Sequence, residues 1–239
     1  MIKFLKTKFL TSSNQSAKSQ NTSQENEKDS EKKIILFDLD GTLLDSAEGI
    51  YESFCRACED YYKPTLQQVR GLIGLPLEEM FRFVGFDKEE SKKRVIRYKN
   101  HYRRICIEKT KLMPYATEAL ILASQFAHLG VVTTKTALYS KQILEHFGLL
   151  KLFQVVIGSE DIDRPKPDAE PILKALNFFP ITPKERIYMI GDTIYDIKAA
   201  KNAKINSVWV KNGFGKDLQK ETQLSFNTIY DAVLYIQKI

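Results

Sequence analysis

The stretch K-I-I-L-F-D-L-D-G-T-L-L, Lys33 to Leu44, decides how this chain folds. Its apolar run, Ile34 to Phe37, has charge before it and Gly41 after it. That is the pattern of a strand buried on both faces, as in a parallel sheet. Side chains two apart point the same way along an extended segment. Asp38 and Asp40 are therefore expected to project together from the strand's carboxyl end, beside a glycine that lets the backbone turn. Two carboxylates held close repel each other and call for a cation. Taken alone, a D-x-D is more often a loop acidic pair with Asp40-Gly41 as a simple turn. The rest of the chain decides between the two, because it supplies partners in a matching order.

Four further strands are expected downstream: Gly130 to Thr134, Gln154 to Gly158, Ile187 to Gly191 and Asn206 to Val210. Helical patterns lie between them, at about Ala137 to Phe147, Asp168 to Asn177 and Ile194 to Ala203, with a closing helix near Thr228 to Gln237. This alternation predicts an α/β fold with a doubly wound parallel sheet. The first connection is anomalous. A parallel crossover needs about a dozen residues, yet about ninety separate Thr42 from Thr133. One helix, near Tyr115 to His128, serves the crossover. The remainder is too long for a loop and is patterned as helix: Ala47 to Tyr62, a break at Pro64, Leu77 to Phe83, and a long basic run from Lys88 to Glu108. The expected organisation is an α/β core over 32–45 and 112–239, with a small helical domain over 46–111 inserted after the first strand.

Residues 1–31 differ in composition from the rest. Thr11 to Ser30 is almost wholly Ser, Asn, Gln, Lys and Glu, which cannot bury enough surface to offset its ordering entropy, so disorder is expected. The tail is basic and hydroxyl-rich, like an organelle presequence, and equally like an extension without function. Residues 1–33 carry net +3 of the chain's +6 and no basic-aromatic repeat follows, so nucleic acid is not expected as a partner. No apolar run approaches the eighteen or so residues of a membrane span. Three cysteines, Cys55, Cys58 and Cys106, fit a reducing compartment, and a cytoplasmic monomer or homodimer is expected. Cys55-x-x-Cys58 lies in a helical pattern without a second pair or clustered histidines, which argues against zinc.

Chemistry-bearing residues recur at the strand ends. The second strand closes V-V-T-T-K, placing Thr133, Thr134 and Lys135 where a hydroxyl and successive backbone donors can hold a phosphate. R-P-K-P-D follows the third strand, and the prolines on either side of Lys166 fix its backbone so that the ammonium is aimed. The fourth strand runs into G-D-T-I-Y-D, with Asp192 at its end and Asp196 a helical turn later, the latter also suited to a helix start. Open parallel sheets bind ligands outside the carboxyl ends of their strands. Hard oxygen ligands, a lysine and phosphate donors together suit Mg2+ and a phosphorylated small molecule.

F-D-L-D-G-T, V-V-T-T-K, R-P-K-P and G-D-T-x-x-D, in this order, resemble the four motifs of the haloacid dehalogenase-like hydrolases, from about Lys33 to the C-terminus. The helical insert, D-S-A-E-G and G-L-P-L-E-E-M-F at Gly74 to Phe81 resemble the phosphoglycolate phosphatase branch and its pyrophosphatase relatives. The resemblance implies a magnesium-dependent phosphatase working through an aspartyl-phosphate, with 2-phosphoglycolate the favoured substrate. Pyrophosphate, nucleotides and sugar phosphates are the alternatives. It also implies Asp38 as nucleophile and Asp40 as general acid and base. Metal ligands would be Asp38, the Asp40 carbonyl and Asp192, with Asp196 holding a metal-bound water. Thr133 and Lys166 would neutralise the transferring group, aided by backbone donors near Leu39, Gly41 and Thr134.

Family dehalogenases lack the second aspartate, so Asp40 speaks against halide chemistry. Phosphomutases of this kind tend to read D-G-V, with a histidine where this chain has Ile50 and a basic residue where it has Leu75-Pro76-Leu77; all three differences favour hydrolysis. Two departures from the family pattern are Thr134, where Asn is usual, and Pro114-Tyr115-Ala116 in place of P-G-V. The insert is expected to act as a lid, with Gly71 to Gly74 facing substrate. Arg70, Lys99, His101 and Arg103 are the cations in reach of a substrate carboxylate, each equally suited to a solvated helix face.

Overall fold

The computed structural model describes residues 32–215 and 218–239; the N-terminal segment expected to be disordered lies outside them. The elements begin with β1 (Lys33–Phe37) and β2 (Leu44–Asp45), followed by α1 (Ala47–Cys58), α2 (Leu66–Arg70), α3 (Leu77–Phe83) and α4 (Lys88–Ile105). Next come β3 (Lys111–Leu112), α5 (Ala116–Ser124), β4 (Ala127–Val132), α6 (Ala137–His146), β5 (Val155–Ile157) and α7 (Glu170–Leu176). The chain closes with β6 (Ile187–Gly191), α8 (Ile194–Ala203), β7 (Asn206–Val210), β8 (Leu224–Phe226) and α9 (Ile229–Lys238).

Six strands form one sheet in the order β5-β4-β1-β6-β7-β8, every pair parallel. The doubly wound sheet expected from the sequence is the one observed. Its winding reverses at β1, which has β4 on one side and β6 on the other, so the crevice at the switch point opens where β1 and β6 end. The run Ile34 to Phe37 is apolar at every position because both faces are covered. Ile34 and Leu36 pack with Ile172 of α7 and Ala199 and Ala200 of α8. Ile35 and Phe37 pack on the other side with Leu120 of α5, Ile143 of α6 and Val233 of α9.

Helices α1 to α4 form the insertion, and the antiparallel β2–β3 pair joins its two connections to the core. Its interior is aromatic. Phe54 of α1 stacks on Phe81 of α3 with ring centroids 4.4 Å apart, and Tyr98 of α4 meets Phe81 edge-on. Such pairs contribute about 0.5–1.5 kcal/mol beyond the area they bury. At the start of α4 the Asp87 side chain accepts the Glu90 N–H, and Arg103 and Arg104 stand at its negative end.

Several boundaries differ from the sequence reading. α5 stops at Ser124 and β4 begins at Ala127, so His128 belongs to the strand, where its ring bonds Gln154 at 3.0 Å. α2, between Pro64 and Gly71, was not expected; Thr65 and Gln68 start it with a reciprocal capping box. The edge strand β8 and the two-residue pair β2–β3 were also not expected. Among the described residues no helix is long and apolar enough to cross a membrane.

Candidate active site

The carboxyl ends of β1, β4 and β6 meet around one ammonium. Lys166 Nζ donates to Asp38 Oδ1 at 2.7 Å, to the Val132 carbonyl at 3.0 Å and to Asp196 Oδ1 at 2.5 Å. It thus ties together the residue after β1, the end of β4 and the first turn of α8. Asp38, Asp192 and Asp196 are all buried, and each offers a carboxylate oxygen within 4.8 Å of the others. The sequence brings them there by ending two neighbouring parallel strands in acids, with the third a turn into α8.

Burial raises the Asp38 carboxyl well above its ordinary range, opposed by Lys166 and reinforced by Asp196 and Asp192. Burial likewise pushes Asp192 up to about 7, with Asp196 adding to it. Hydrogen bonds to the charged form resist that shift: Asp192 accepts from Thr42 Oγ1 at 3.0 Å and from the Phe214 N–H at 2.6 Å. Burial lowers the Lys166 ammonium, but Asp196 and Asp38 together outweigh it and its pKa ends raised. With all three carboxylates ionised, as metal ligation requires, they and the one ammonium sum to a buried charge of −2. A divalent cation with a preference for oxygen ligands brings that to zero, so the donor set fits magnesium.

Gly41 is glycine for a reason the cluster supplies. Its φ is +92°, and a Cβ there would collide with the Asp192 carboxylate. Its N–H, expected to face a phosphate, instead closes the turn by donating to the Leu44 carbonyl at 2.8 Å. The N–H groups of Leu39, which is fully buried, and of Thr134 have no acceptor among the described residues. Buried orphan N–H groups are rare; that of Leu39 is one, and with the half-buried Thr134 N–H beside a lysine it can receive an anion. Thr133 is buried next to them, its hydroxyl accepting the Lys135 N–H at 3.2 Å.

Asp40 stands apart from the trio, a correction to the shared projection expected of the D-x-D. β1 ends at Phe37, so strict alternation lapses before Asp40. Its carboxylate accepts from Ser46 Oγ at 2.5 Å and pairs with Lys135 Nζ at 3.1 Å. Each aspartate thus has its own lysine. Lys135 also donates to the Tyr102 hydroxyl at 2.6 Å, so it joins Asp40 to α4 of the insertion. Asp40 lines a cavity of about 590 Å3 between insertion and core, together with Thr134, Lys135, Tyr102 and the loop Ile73 to Leu77.

Asp196, expected to hold a metal-bound water, has both oxygens engaged: Oδ1 by Lys166, and Oδ2 by the Thr193 N–H at 2.9 Å and hydroxyl at 2.7 Å. It caps α8 and aims Lys166 at once. Of the four insertion cations singled out, Lys99 lines the cavity. Arg70 lies over the Phe214 ring at 5.0 Å, His101 bonds Ser53 at 3.1 Å, and Arg103 is exposed outside the cavity. All three cysteines are free, and burial pushes the Cys58 thiol up to about 12, away from the reactive thiolate. The contacts of Thr42, Ser46, Lys135 and the 213–215 loop were not foreseen. Each is made across a turn or from a distant segment, although the V-V-T-T-K spacing had already placed Lys135 nearby.

The family model for haloacid dehalogenase-like hydrolases matches residues 35–210. A protein of Halalkalibacterium halodurans named pyrophosphatase PpaX is 33% identical over 178 residues, covering 74% of this chain and 82% of that one. A phosphoglycolate phosphatase of Colwellia psychrerythraea is 29% identical over 227 residues, covering 87% and 98%. The crystal structure of a predicted phosphatase from Clostridium acetobutylicum superposes with a TM-score of 0.80 at 29% identity, covering 87% of this chain and 99% of the other.

Proposed function

The chain belongs to the haloacid dehalogenase-like hydrolases and is a phosphatase of that family; from that premise we propose that it hydrolyses a small phosphorylated metabolite with magnesium, through an aspartyl-phosphate on Asp38. The buried trio of Asp38, Asp192 and Asp196 around Lys166 carries the reading. Asp38 attacks phosphorus, forming an O–P bond as the leaving oxygen departs. Asp40, on the cavity side, gives its proton to that oxygen. It then takes one from the water that attacks the aspartyl-phosphate, which frees Asp38 and releases phosphate. Lys166, the Thr133 hydroxyl and the N–H groups of Leu39 and Thr134 meet the oxygens of the transferring group. Asp38, Asp192 and the Asp40 carbonyl would hold magnesium, whose charge offsets that of the phosphoryl oxygens. The insertion covers the cavity and excludes water.

Among specific compounds we put 2-phosphoglycolate first, the substrate in the name of a relative that is matched over 98% of its length. A second reading, pyrophosphate hydrolysis, is favoured by the relative named pyrophosphatase at 33% identity. Phosphate release from both compounds, with magnesium and with EDTA, tests the proposal. Turnover is expected only with magnesium and is expected to be lost in Asp38→Asn, whose amide can neither attack nor carry the ligand charge. Turnover that persists in Asp38→Asn overturns the nucleophile assignment.

A further inference from the structure

The cavity above Asp40 is longer and more apolar than a two-carbon or inorganic leaving group requires. Tyr102, Lys99, Val95 and Lys92 of α4 all line it, at the three- and four-residue spacing of one helix face. Tyr102 touches Lys135 beside Asp40, and Lys92 lies ten residues earlier, so at the helical rise the wall runs ~15 Å from the acid. Leu75 and Met80 of the insertion and Tyr139 of α6 add further apolar surface. A volume of about 590 Å3 falls in the range that takes a drug-sized ligand.

The charges do not suit a compact polyanion. Lys135 is taken up by Asp40 and Tyr102, and Lys92 pairs with Glu89 at 3.2 Å. Lys99 alone among the cavity's cations has no partner among the described residues. Glu78, Glu160 and Asp163 also line the space and repel added negative charge. We infer that the leaving group is the alcohol of an apolar chain or ring, laid along α4 from Asp40. This rests on the phosphatase reading above. The ranking of 2-phosphoglycolate and pyrophosphate there follows the relatives' names, whereas the leaving group is read from this chain's own cavity and takes precedence over that ranking.

A series of straight-chain alkyl phosphates, from ethyl to octyl, separates the two levels. The alcohols share nearly the same acidity, so any trend in kcat/KM reports burial of the chain rather than intrinsic reactivity. With magnesium present, kcat/KM is expected to climb about fourfold per added methylene, the equivalent of ~0.8 kcal/mol, until the chain outruns the wall. Octyl phosphate is expected to exceed both 2-phosphoglycolate and pyrophosphate. Ile96 lines the cavity yet is 61% exposed, so Ile96→Asp is tolerated by the fold. That variant is expected to cut the octyl-to-ethyl ratio at least tenfold. A flat series, or either small anion outrunning octyl phosphate, overturns the leaving-group inference while leaving the phosphatase reading standing. No phosphate released from any compound overturns both.

Discussion

Replacing Lys166 by Met removes the one cation buried among three carboxylates and keeps the bulk of the chain. The wild-type ammonium is 2.7 Å from Asp38 and 2.5 Å from Asp196, with its side chain 2% exposed. Breaking a buried pair by removing one partner costs about 3–5 kcal/mol, because the remaining charge stays uncompensated. For a chain of this length that corresponds to a fall in melting temperature of ~6–20 °C. The assay is thermal melting in chelator, so that no metal takes the lysine's place, at pH 8 and at pH 5. At pH 8 the full loss is expected. At pH 5 it shrinks, because burial already raises Asp38 and Asp192 and the carboxylates of the variant take up protons instead of repelling. Turnover is expected to fall by about 10²–10³ as the transferring group loses its nearest positive charge. A variant that melts with the wild type at pH 8, or loses equal stability at both pH values, refutes the view that this lysine compensates the cluster.

Metal-free wild type is expected to lose stability as pH rises from ~4 to ~7. Asp192 is raised to about 7 in the fold, so across that window the folded state holds a proton the unfolded chain has released. Magnesium, binding the ionised form, should reverse the trend, and Asp192→Asn should flatten its part of it in pH-dependent melts. Gly41→Ala is expected to cost about 1–2 kcal/mol in strain and more in displacing Asp192, with activity lost. Gly148→Ala, at φ +70° with open space around it, serves as the control that pays strain alone. Asp60 is held down at about 2, first by its hydrogen bond to Arg94. Its stabilising contribution is therefore present above ~4 and lost as pH falls toward 2, and Asp60→Asn should remove that part of the acid limb in denaturant titrations.

The core was legible where one segment carried its own signal. β6 and α8 lie at the expected residues because a buried apolar run and a helical period announce themselves locally. Asp38 and Asp192 were legible because each directly follows a strand, and Lys166 because two prolines flank it in the connection after β5. What escaped depends on contacts across the chain. β8, Leu224 to Phe226, is three half-buried residues that become a strand only by pairing with β7. His128 reads as helix by composition, yet belongs to a strand that β1 and β5 hold in register. Phe214 was unreadable as a site residue because only its backbone N–H serves, 22 residues from the carboxylate it holds. Asp40's separate pairing was hidden for the same reason: Lys135 reaches it from the far end of β4.

The most direct measurement looks for the phosphoryl group on the protein itself. Enzyme quenched during turnover with magnesium and substrate is treated with borohydride, which reduces an acyl phosphate, and position 38 is read by peptide mass spectrometry. The expected product is homoserine at Asp38, dependent on substrate and absent in chelator. An unmodified Asp38 under turnover, or the label on Asp40, Asp192 or Asp196 instead, contradicts the assignment of Asp38 as the residue that takes the phosphate.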